Sequence, residues 1–558
     1  MISQHVYSAV VIGTPDKPIN LTGGSVAFDV GRWPHVTATL TAKADPAILS
    51  ALDPRAGSRV RITATGTSPA GVQGPRTFDL GVRSRPRSYR DGTVTIELAS
   101  DEALLADYRP GADDITPLSL QGSVRSVINY VLGKAIPGAA LQASPAHDGD
   151  LTTYTDAENV YRDPRELVAK TGGGCTVGTT GSWPGLIDGV GHNAIRLSAP
   201  VAADSYAYLL EPGKGLNGMN VGETWVISAT GRVVTAQGGT LEPRRRRLQV
   251  LMDVGGYIGV QSDPIPAAAG SVARVSVEVT IPSGAKELFV RAYHGATSGE
   301  ILWSQVRMSR KSTAPAQDDT TYFWGSKPDT ATYDYSWIGD PDVSTSKRRA
   351  VIDRRPELLV WRAGQSAMDF LHPLFQAFGL RLVCDEQRRW TLRDKGYAAP
   401  GALAIRYGVN LWDGSDTIDR GSDWFDGCVV HYRWRDYDGA QQERVDAYIP
   451  AGAKRVEEVT VESAYPGPGY AEYLTVRALQ RGREVTVTTA PDWTAQPEQA
   501  ISIVLPDEPA QSGTVQTLRY DLTGDAMTIT TRTADTPAGA IALLGGTIDA
   551  LPGTIDSL

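Results

Sequence analysis

Residues capable of chemistry are scattered through this chain, and none of them falls into the spacing of a known mechanism. Gly213-Lys214-Gly215-Leu216-Asn217-Gly218 matches GxGxxG. It follows a strand pattern, but a second strand pattern comes next at Glu223–Thr230, where a pyrophosphate would need a helix N-terminus. A plain glycine loop is the better reading. Ser344-Thr345-Ser346-Lys347 matches SxxK and Lys170-Thr171-Gly172 matches KTG. Their order is the reverse of that in penicillin-recognising enzymes, and no SDN element accompanies them. There is no GxSxG elbow and no Walker A sequence. The seven histidines, His5, His35, His147, His192, His294, His372 and His431, form neither HxxxH nor HExxH, so metal-dependent hydrolysis is not signalled. Cys175, Cys384 and Cys428 make no CxxC, which leaves neither a disulfide framework nor a zinc site. Glycosidase carboxylates lie far apart in sequence, and nothing here singles out a pair. The expectation is a chain with no catalytic residue, no cofactor and no bound metal.

Binding chemistry is better represented. Between residues 166 and 310 the aromatics Trp183, Tyr206, Tyr208, Tyr257 and Tyr293 are candidates for stacking on a sugar. Trp183 lies in a loop, Ser-Trp-Pro-Gly, where its ring would be exposed. Trp225 and Trp303 sit inside apolar strand patterns and read as core. Arg244–Arg247 is a run of four arginines beside a strand. A solvated edge that deters pairing with other chains is the plainer reading; contact with an acidic surface polymer is the functional one.

The elements that must position these residues are mostly strands. At 558 residues the chain should hold several domains, and 58 Gly and 35 Pro with many Thr and Val point to short strands and turns. A net charge of −9 argues against a nucleic-acid binder. No run approaches the roughly 18 apolar residues of a membrane helix, and the N-terminus lacks a basic segment with a cleavage site. The expectation is synthesis in a cytoplasm, with release by lysis inside a particle as one route out.

Residues 1–100 read as a β domain and 101–165 as a helical connector, with a helix from Ser119 to Leu132. Residues 166–310 hold eight strand candidates, the count of a jelly roll. An aromatic, loop-like linker follows at 311–349. Trp361–Asp394, within a helix–hairpin domain at 350–400, puts Ala367, Phe370, Leu371, Leu374, Phe375 and Phe378 on one helical face. Gly379 then supplies a C-cap, and Leu382 and Cys384 alternate towards a turn at Asp385–Arg388 and a second strand with Trp390 and Leu392. Phe370, Phe375 and Trp390 should be buried. A second β domain spans 401–534, interrupted by a helix at Gly469–Arg481, and 535–558 reads as an extended tail. The stretch from Val82 through Tyr89 to Ile96 echoes that from Val515 through Tyr520 to Ile529. Two readings stand for this echo: copies of one domain, or chance likeness between two hairpins.

Several stretches together carry a family resemblance: 76–108, 367–394, and 470–493 with 512–532. In that order they resemble the hub or tail-tip proteins of siphophage tails, the minor tail proteins of actinobacteriophages. The stretch from 321 to 346 is similar to one that follows inserted sugar-binding modules there, with Tyr322-Phe323-Trp324-Gly325 in place of Tyr-Phe-Asp-Gly. Residues 166–310 look like a carbohydrate-binding-module jelly roll. The resemblance implies a mainly β, multidomain fold with two related β-barrel-like hub domains. It also implies a homotrimer at the virion tail tip, with tail-tube and other minor tail proteins as partners. Host cell-wall glycan is a further partner, through the insert. Glycan adhesion as the main role, and wall degradation by a tail enzyme, are the alternatives.

Overall fold

The structure is a computed structural model describing residues 4–535, apart from 69–70, 145, 155, 181–192, 202–203, 240–245, 312–319, 419–423, 480–482 and 508–509. It is mainly β and divides into two compact units, Met1–Thr152 with Leu358–Leu558, and Thr153–Glu357.

From Gln4 to Ala99 apolar residues fall on alternate positions, and the runs are strands. They are β1 (Gln4–Val11), β2 (Lys17–Ile19), β3 (Leu21–Asp29), β4 (Val36–Lys43), β5 (Arg59–Ser68), β6 (Gly71–Ser84), β7 (Arg87–Ser88) and β8 (Thr93–Ala99). In β4, Val36, Ala38, Leu40 and Ala42 are buried while the residues between them are more exposed. A short helix, α1 (Pro46–Ala51), separates β4 from β5; the Asp45 carboxylate accepts the Ala47 N–H at 2.7 Å as its cap. The strand order is β2-β1-β5-β6-β8-β4-β3. Only Asn20 separates β2 at one end of that order from β3 at the other, so the sheet rolls round on itself without being a closed barrel. Two helices follow, α2 (Glu102–Asp107) and α3 (Val124–Ala135). The helix expected from Ser119 begins instead at Val124. Thr116–Leu120 is a 3-10 turn containing Pro117, and the Ser123 hydroxyl caps α3 by accepting the Ser126 N–H at 3.1 Å.

The unit Thr153–Glu357 carries β9 (Ala157–Asn159), β10 (Gly172–Gly173), β11 (Thr176–Thr180), β12 (Ala194–Ser198), β13 (Tyr206–Leu210), β14 (Thr224–Thr235) and β15 (Leu248–Asp253). After these come β16 (Tyr257–Gln261), β17 (Val272–Thr280), β18 (Glu287–Tyr293), β19 (Glu300–Arg310), β20 (Tyr333–Trp337) and β21 (Ser346–Ala350). Two five-stranded sheets, β10-β13-β18-β15-β16 and β11-β12-β19-β14-β17, enclose one core that includes Leu197, Leu209, Ile227, Val250, Val290 and Trp303. Trp225 and Trp303 are both buried there, as their strand patterns predict. The two strands the sequence does not announce, β10 and β11, are glycine- and threonine-rich and lack an apolar alternation. The stretch read as a linker also contains structure: β20 and β21 pair with each other, β21 pairs with β9, and Tyr322, Phe323 and Trp324 are buried. Every residue of the sandwich core lies between Tyr161 and Met308. A fragment spanning 153–357 is therefore expected to unfold in one cooperative thermal transition when expressed alone. A soluble fragment with no transition by circular dichroism would refute this.

The returning chain forms α4 (Ala367–Gln376), β22 (Arg381–Cys384) and β23 (Trp390–Arg393). The Ser366 hydroxyl caps α4 by accepting the Asp369 N–H at 3.0 Å, and Gly379 ends the turn after it at φ 65°. Phe370, Phe375 and Trp390 are buried as expected, in a core shared with α3. Beyond it lie β24 (Ala399–Arg406), β25 (Leu411–Ile418), β26 (Gly427–Arg435), β27 (Gln441–Tyr448), β28 (Val456–Val461) and α5 (Tyr470–Leu479). The last strands are β29 (Arg483–Thr489), β30 (Gln499–Val504), β31 (Gln511–Asp521) and β32 (Ala526–Asp535). The sheet β27-β26-β28 is separate, and its residues Val430 and Tyr432 join the same core as α4.

The remaining strands run β24-β30-β31-β32-β29-β25. Counting strands in chain order, with β2 and β3 as one and β6 and β7 as one, both β regions read first-fourth-fifth-sixth-third-second. One direction differs: the first strand is antiparallel to the fourth in the N-terminal region and parallel to it in the C-terminal one. The echoing stretches fall in the same hairpin of each, β6–β8 and β31–β32. Ser25–Asp29 of β3 pairs with Asp521–Thr517 of β31, which joins both regions into one 14-stranded sheet over a common core.

The hairpin turn between β22 and β23 holds this junction. Arg76 on β6 bonds Glu386 in that turn at 3.0 Å, the Ala495 carbonyl at 2.6 Å and the Tyr520 hydroxyl at 3.2 Å, with Phe28 and Phe78 beside its guanidinium. Asp101 pairs with Arg59 at 2.6 Å and with Arg388 of the turn at 2.8 Å. Glu498 pairs with Arg381 and Arg393 of the hairpin strands. Glu102 accepts the backbone N–H groups of Cys384 and His35; burial raises its carboxyl to about 7 against the pull of those donors. With the helix so enclosed, Phe375→Ala should cost about 3–5 kcal/mol. Urea denaturation of the full chain checks this, and a loss below about 1 kcal/mol would contradict it.

Candidate functional site

Alternation along β13 sends Ala207 and Leu209 into the sandwich core and leaves Tyr206 and Tyr208 on the opposite face. Along β18 it buries Leu288, Val290 and Ala292 in that core, so Phe289, Arg291 and Tyr293 share the face with the tyrosines. The antiparallel register then sets Tyr206 across from Tyr293 and Tyr208 across from Arg291. On the edge strand β16, Tyr257 stands opposite Asp253 of β15.

Arg291 is the centre of this face. Its guanidinium carbon lies 4.1 Å from the Tyr206 ring centroid and 5.1 Å from that of Tyr208. Its two terminal nitrogens donate to the Tyr208 hydroxyl at 2.9 Å and the Tyr293 hydroxyl at 3.2 Å. Burial pulls the guanidinium down, and the bonds to Tyr293 and Tyr208 outweigh it, so the charge is held. Burial and the contact with Tyr208 at 3.3 Å push the Tyr206 hydroxyl up to about 12. The row continues outward: Phe289 meets Tyr208 edge-on at 5.9 Å and Tyr257 edge-on at 5.5 Å. Glycine makes room at the margin. A Cβ on Gly173, opposite Tyr206, would come within 3.1 Å of the Tyr206 hydroxyl.

Four of the five residues expected to contact sugar are thus brought onto one sheet face, while Trp183 lies outside the described residues. Their roles differ. Tyr257 is 64% exposed and offers a free ring face; Tyr206 and Tyr208 are half-buried; Tyr293 is buried and positions Arg291. Arg291 and Phe289 were not anticipated, although the alternation in Glu287–Tyr293 places both beside Tyr293. The arginine run does not form a wholly solvated edge: Arg246 is buried and donates to the Ile265 carbonyl at 2.5 Å, and Arg244 and Arg245 lie outside the described residues. Aromatic rings packed around a fixed guanidinium and several hydroxyls suit a polyhydroxylated ligand, whose C–H faces stack and whose oxygens accept.

Elsewhere the chemistry is thin. Among the described residues no group of three His, Cys, Asp or Glu side chains could hold a metal ion. No helix among them is long and apolar enough to cross a membrane. A cavity of about 360 Å³ beside the junction hairpin is lined by His35, Arg125, His147, Arg389 and Arg393 among others.

No protein-family model and no curated protein matches the sequence. Among solved structures the chain is similar to a 43 kDa tail protein of prophage MuSo2 from Shewanella oneidensis, at 7% identity and TM-score 0.39, covering 96% of this chain and 99% of that one. A tail protein from Neisseria meningitidis is similar at 7% identity and TM-score 0.36, covering 94% and 96%. The CBM22-1 xylan-binding domain of Paenibacillus barcinonensis Xyn10C is similar over 28% of this chain and 97% of its own, at 13% identity and TM-score 0.20. TM-scores this low do not establish a shared fold.

The unequal roles on the aromatic face give a stability test. Tyr257→Ala should change unfolding free energy by no more than about 0.5 kcal/mol, because the ring is exposed. Arg291→Ala, which removes a donor to the Tyr208 and Tyr293 hydroxyls and the cation between the rings, should cost about 1–3 kcal/mol. Equal losses in urea denaturation would mean that Arg291 does not organise the face.

Proposed function

We propose that this chain is a structural subunit of a phage tail tip, a hub that assembles as a homotrimer, caps the tail tube and joins it to other minor tail proteins. The observation that carries this reading is the repeated strand order of the two β regions. Three copies, each with two like domains, make a ring of six that can meet a sixfold tube above and a threefold tip below. The sequence resemblance to siphophage hub proteins supports the same role, and the chain acts by position and binding, without catalysis. Light scattering on the purified full chain should give three times the chain mass, and labelled antibody should mark the tail tip of intact virions. A monomer at all concentrations, or label elsewhere on the particle, would overturn the proposal.

A second reading is favoured by one feature, the face around Arg291. In it the unit Thr153–Glu357 displays Tyr206, Tyr208 and Tyr257 to host cell-wall glycan. Binding of the chain to purified wall polysaccharide should weaken about fivefold or more in Tyr257→Ala, matching the loss of one stacking contact of about 1 kcal/mol. Unchanged retention would exclude this face as the glycan site.

A further inference from the structure

The join between the two β regions is asymmetric, and among the described residues the counterparts of its two strands meet no such partner. Within the chain, the second strand of the N-terminal region, β3, pairs with the fifth strand of the C-terminal region, β31. The second strand of the C-terminal region is β25, and the fifth of the N-terminal region is β6. Among the described residues β25 pairs only with β29, so its outer edge is open.

The ladders fix which residues correspond. Ile96 pairs with Leu40, and Leu40 with Gly24; Ile529 pairs with Val487, and Val487 with Gly414. Taking Ile96 and Ile529 as equivalents, Gly414 stands where Gly24 stands. The stretches agree in kind at four of six places, Gly-Ser-Val-Ala-Phe-Asp from Gly24 and Gly-Ser-Asp-Thr-Ile-Asp from Gly414, and differ at Val26/Asp416 and Ala27/Thr417. On the fifth strands, the last bond to the fourth-strand side joins Val82 N–H to Ser58 and Val515 C=O to Glu498. Val82 therefore stands where Val515 stands, and Ser84–Ser88 corresponds to Thr517–Asp521, the segment that receives β3.

We infer that β25 of one copy docks on Ser84–Ser88 of the next, repeating between chains the ladder that β3 and β31 form within one. The inference deepens the ring proposed above and rests on it for closure at three. Transferring the observed register sets Ser415 across from Ser88 and Asp416 across from Arg87. The charges suit this. The docking stretch Arg83–Arg90 carries Arg83, Arg85, Arg87 and Arg90, of which Arg83 is already paired with Asp107. The incoming strand carries Asp413 and Asp416; Asp416 pairs with Arg483 at 2.5 Å in its own chain and would gain Arg87 as a second cation. The apolar surface suits it too. Ile418 is 73% exposed although its counterpart Phe28 is buried at the internal join. Trp412 and Tyr89, both just beyond the Ser415–Ser88 end of the proposed ladder, are 57% and 84% exposed. An open strand edge bearing such side chains invites pairing unless a partner covers it. Pro86 is no obstacle: its carbonyl already accepts the Thr95 N–H on the β8 side, so its missing N–H falls on that side and not on the free edge. The contact is head-to-tail, the kind that closes into a ring when the rotation permits.

The test is disulfide trapping in the full chain carrying Ser88→Cys and Ser415→Cys together. Of the native cysteines, Cys384 and Cys428 are buried, and single-substitution chains control for Cys175. Oxidation should give covalent species of up to three chains on a non-reducing gel, with none from either single substitution. Separately, Arg87→Glu, which would set a carboxylate against Asp416, should weaken self-association at least tenfold, whereas Arg87→Lys should keep it. If the unsubstituted protein assembles but the folded double-cysteine chain does not cross-link, the pairing is wrong and the ring stands. Cross-linked chains growing beyond three would keep the pairing and sink the closed trimer. A chain that never associates would sink both.

Discussion

Arg76 is the constraint on which the larger unit depends. Its guanidinium is withdrawn from water among Phe28, Phe78 and Tyr520, and such a charge is tolerated only when its donors are used. The acceptors come from three places that are remote in sequence: the hairpin turn at Glu386, the loop carbonyl of Ala495 and the Tyr520 hydroxyl. Trp493 then stacks on Tyr520 at 4.2 Å and closes the aromatic side. Moving either β region relative to the hairpin would strand one of these partners. The hairpin is therefore a wedge whose position is fixed by charge on three sides: Arg76 with Glu386, Asp101 with Arg388, and Glu498 with Arg381 and Arg393.

Periodicity made the wedge legible in the sequence. Ala367 to Phe378 repeats at helical spacing, Gly379 supplies the left-handed turn, and alternation gives the burial of Trp390. Most strands were legible for the same reason. What alternation cannot give is which strands become neighbours. The likeness of the Val82–Ile96 and Val515–Ile529 stretches left two readings open, and it is the shared strand order that gives it weight. Gly172–Gly173 and Thr176–Thr180 went unread because their backbone bonds, and no apolar pattern, make them strands. Ser119 misled because it precedes a helical apolar run, while the true cap is Ser123.

The aromatic face shows the same division. Tyr206, Tyr208, Tyr257 and Tyr293 could be named from residue type alone. Their unequal exposure could not, since it depends on a register that lays Arg291 across from Tyr208 and leaves Tyr257 on an edge strand. Arginine in a strand reads as a solvated residue. Here three rings and two hydroxyls surround it, and it becomes the rigid element that the tyrosines are arranged around.

The pairing of β3 with β31 has a further consequence, for the order in which the chain can be completed. Gly24 and Thr523, which bond at this join, are 499 positions apart. During synthesis the N-terminal sheet emerges with its β3 edge bare, and it stays bare until almost the whole chain has left the ribosome. The intervening unit Thr153–Glu357 has a core of its own and can fold in that interval, which shortens the effective loop that must close. Contacts of such long range make folding slow and leave strand edges open to wrong partners meanwhile. Two like β regions in one chain sharpen that hazard, because an unfinished copy offers neighbouring chains the same edge that its own C-terminal half is due to cover.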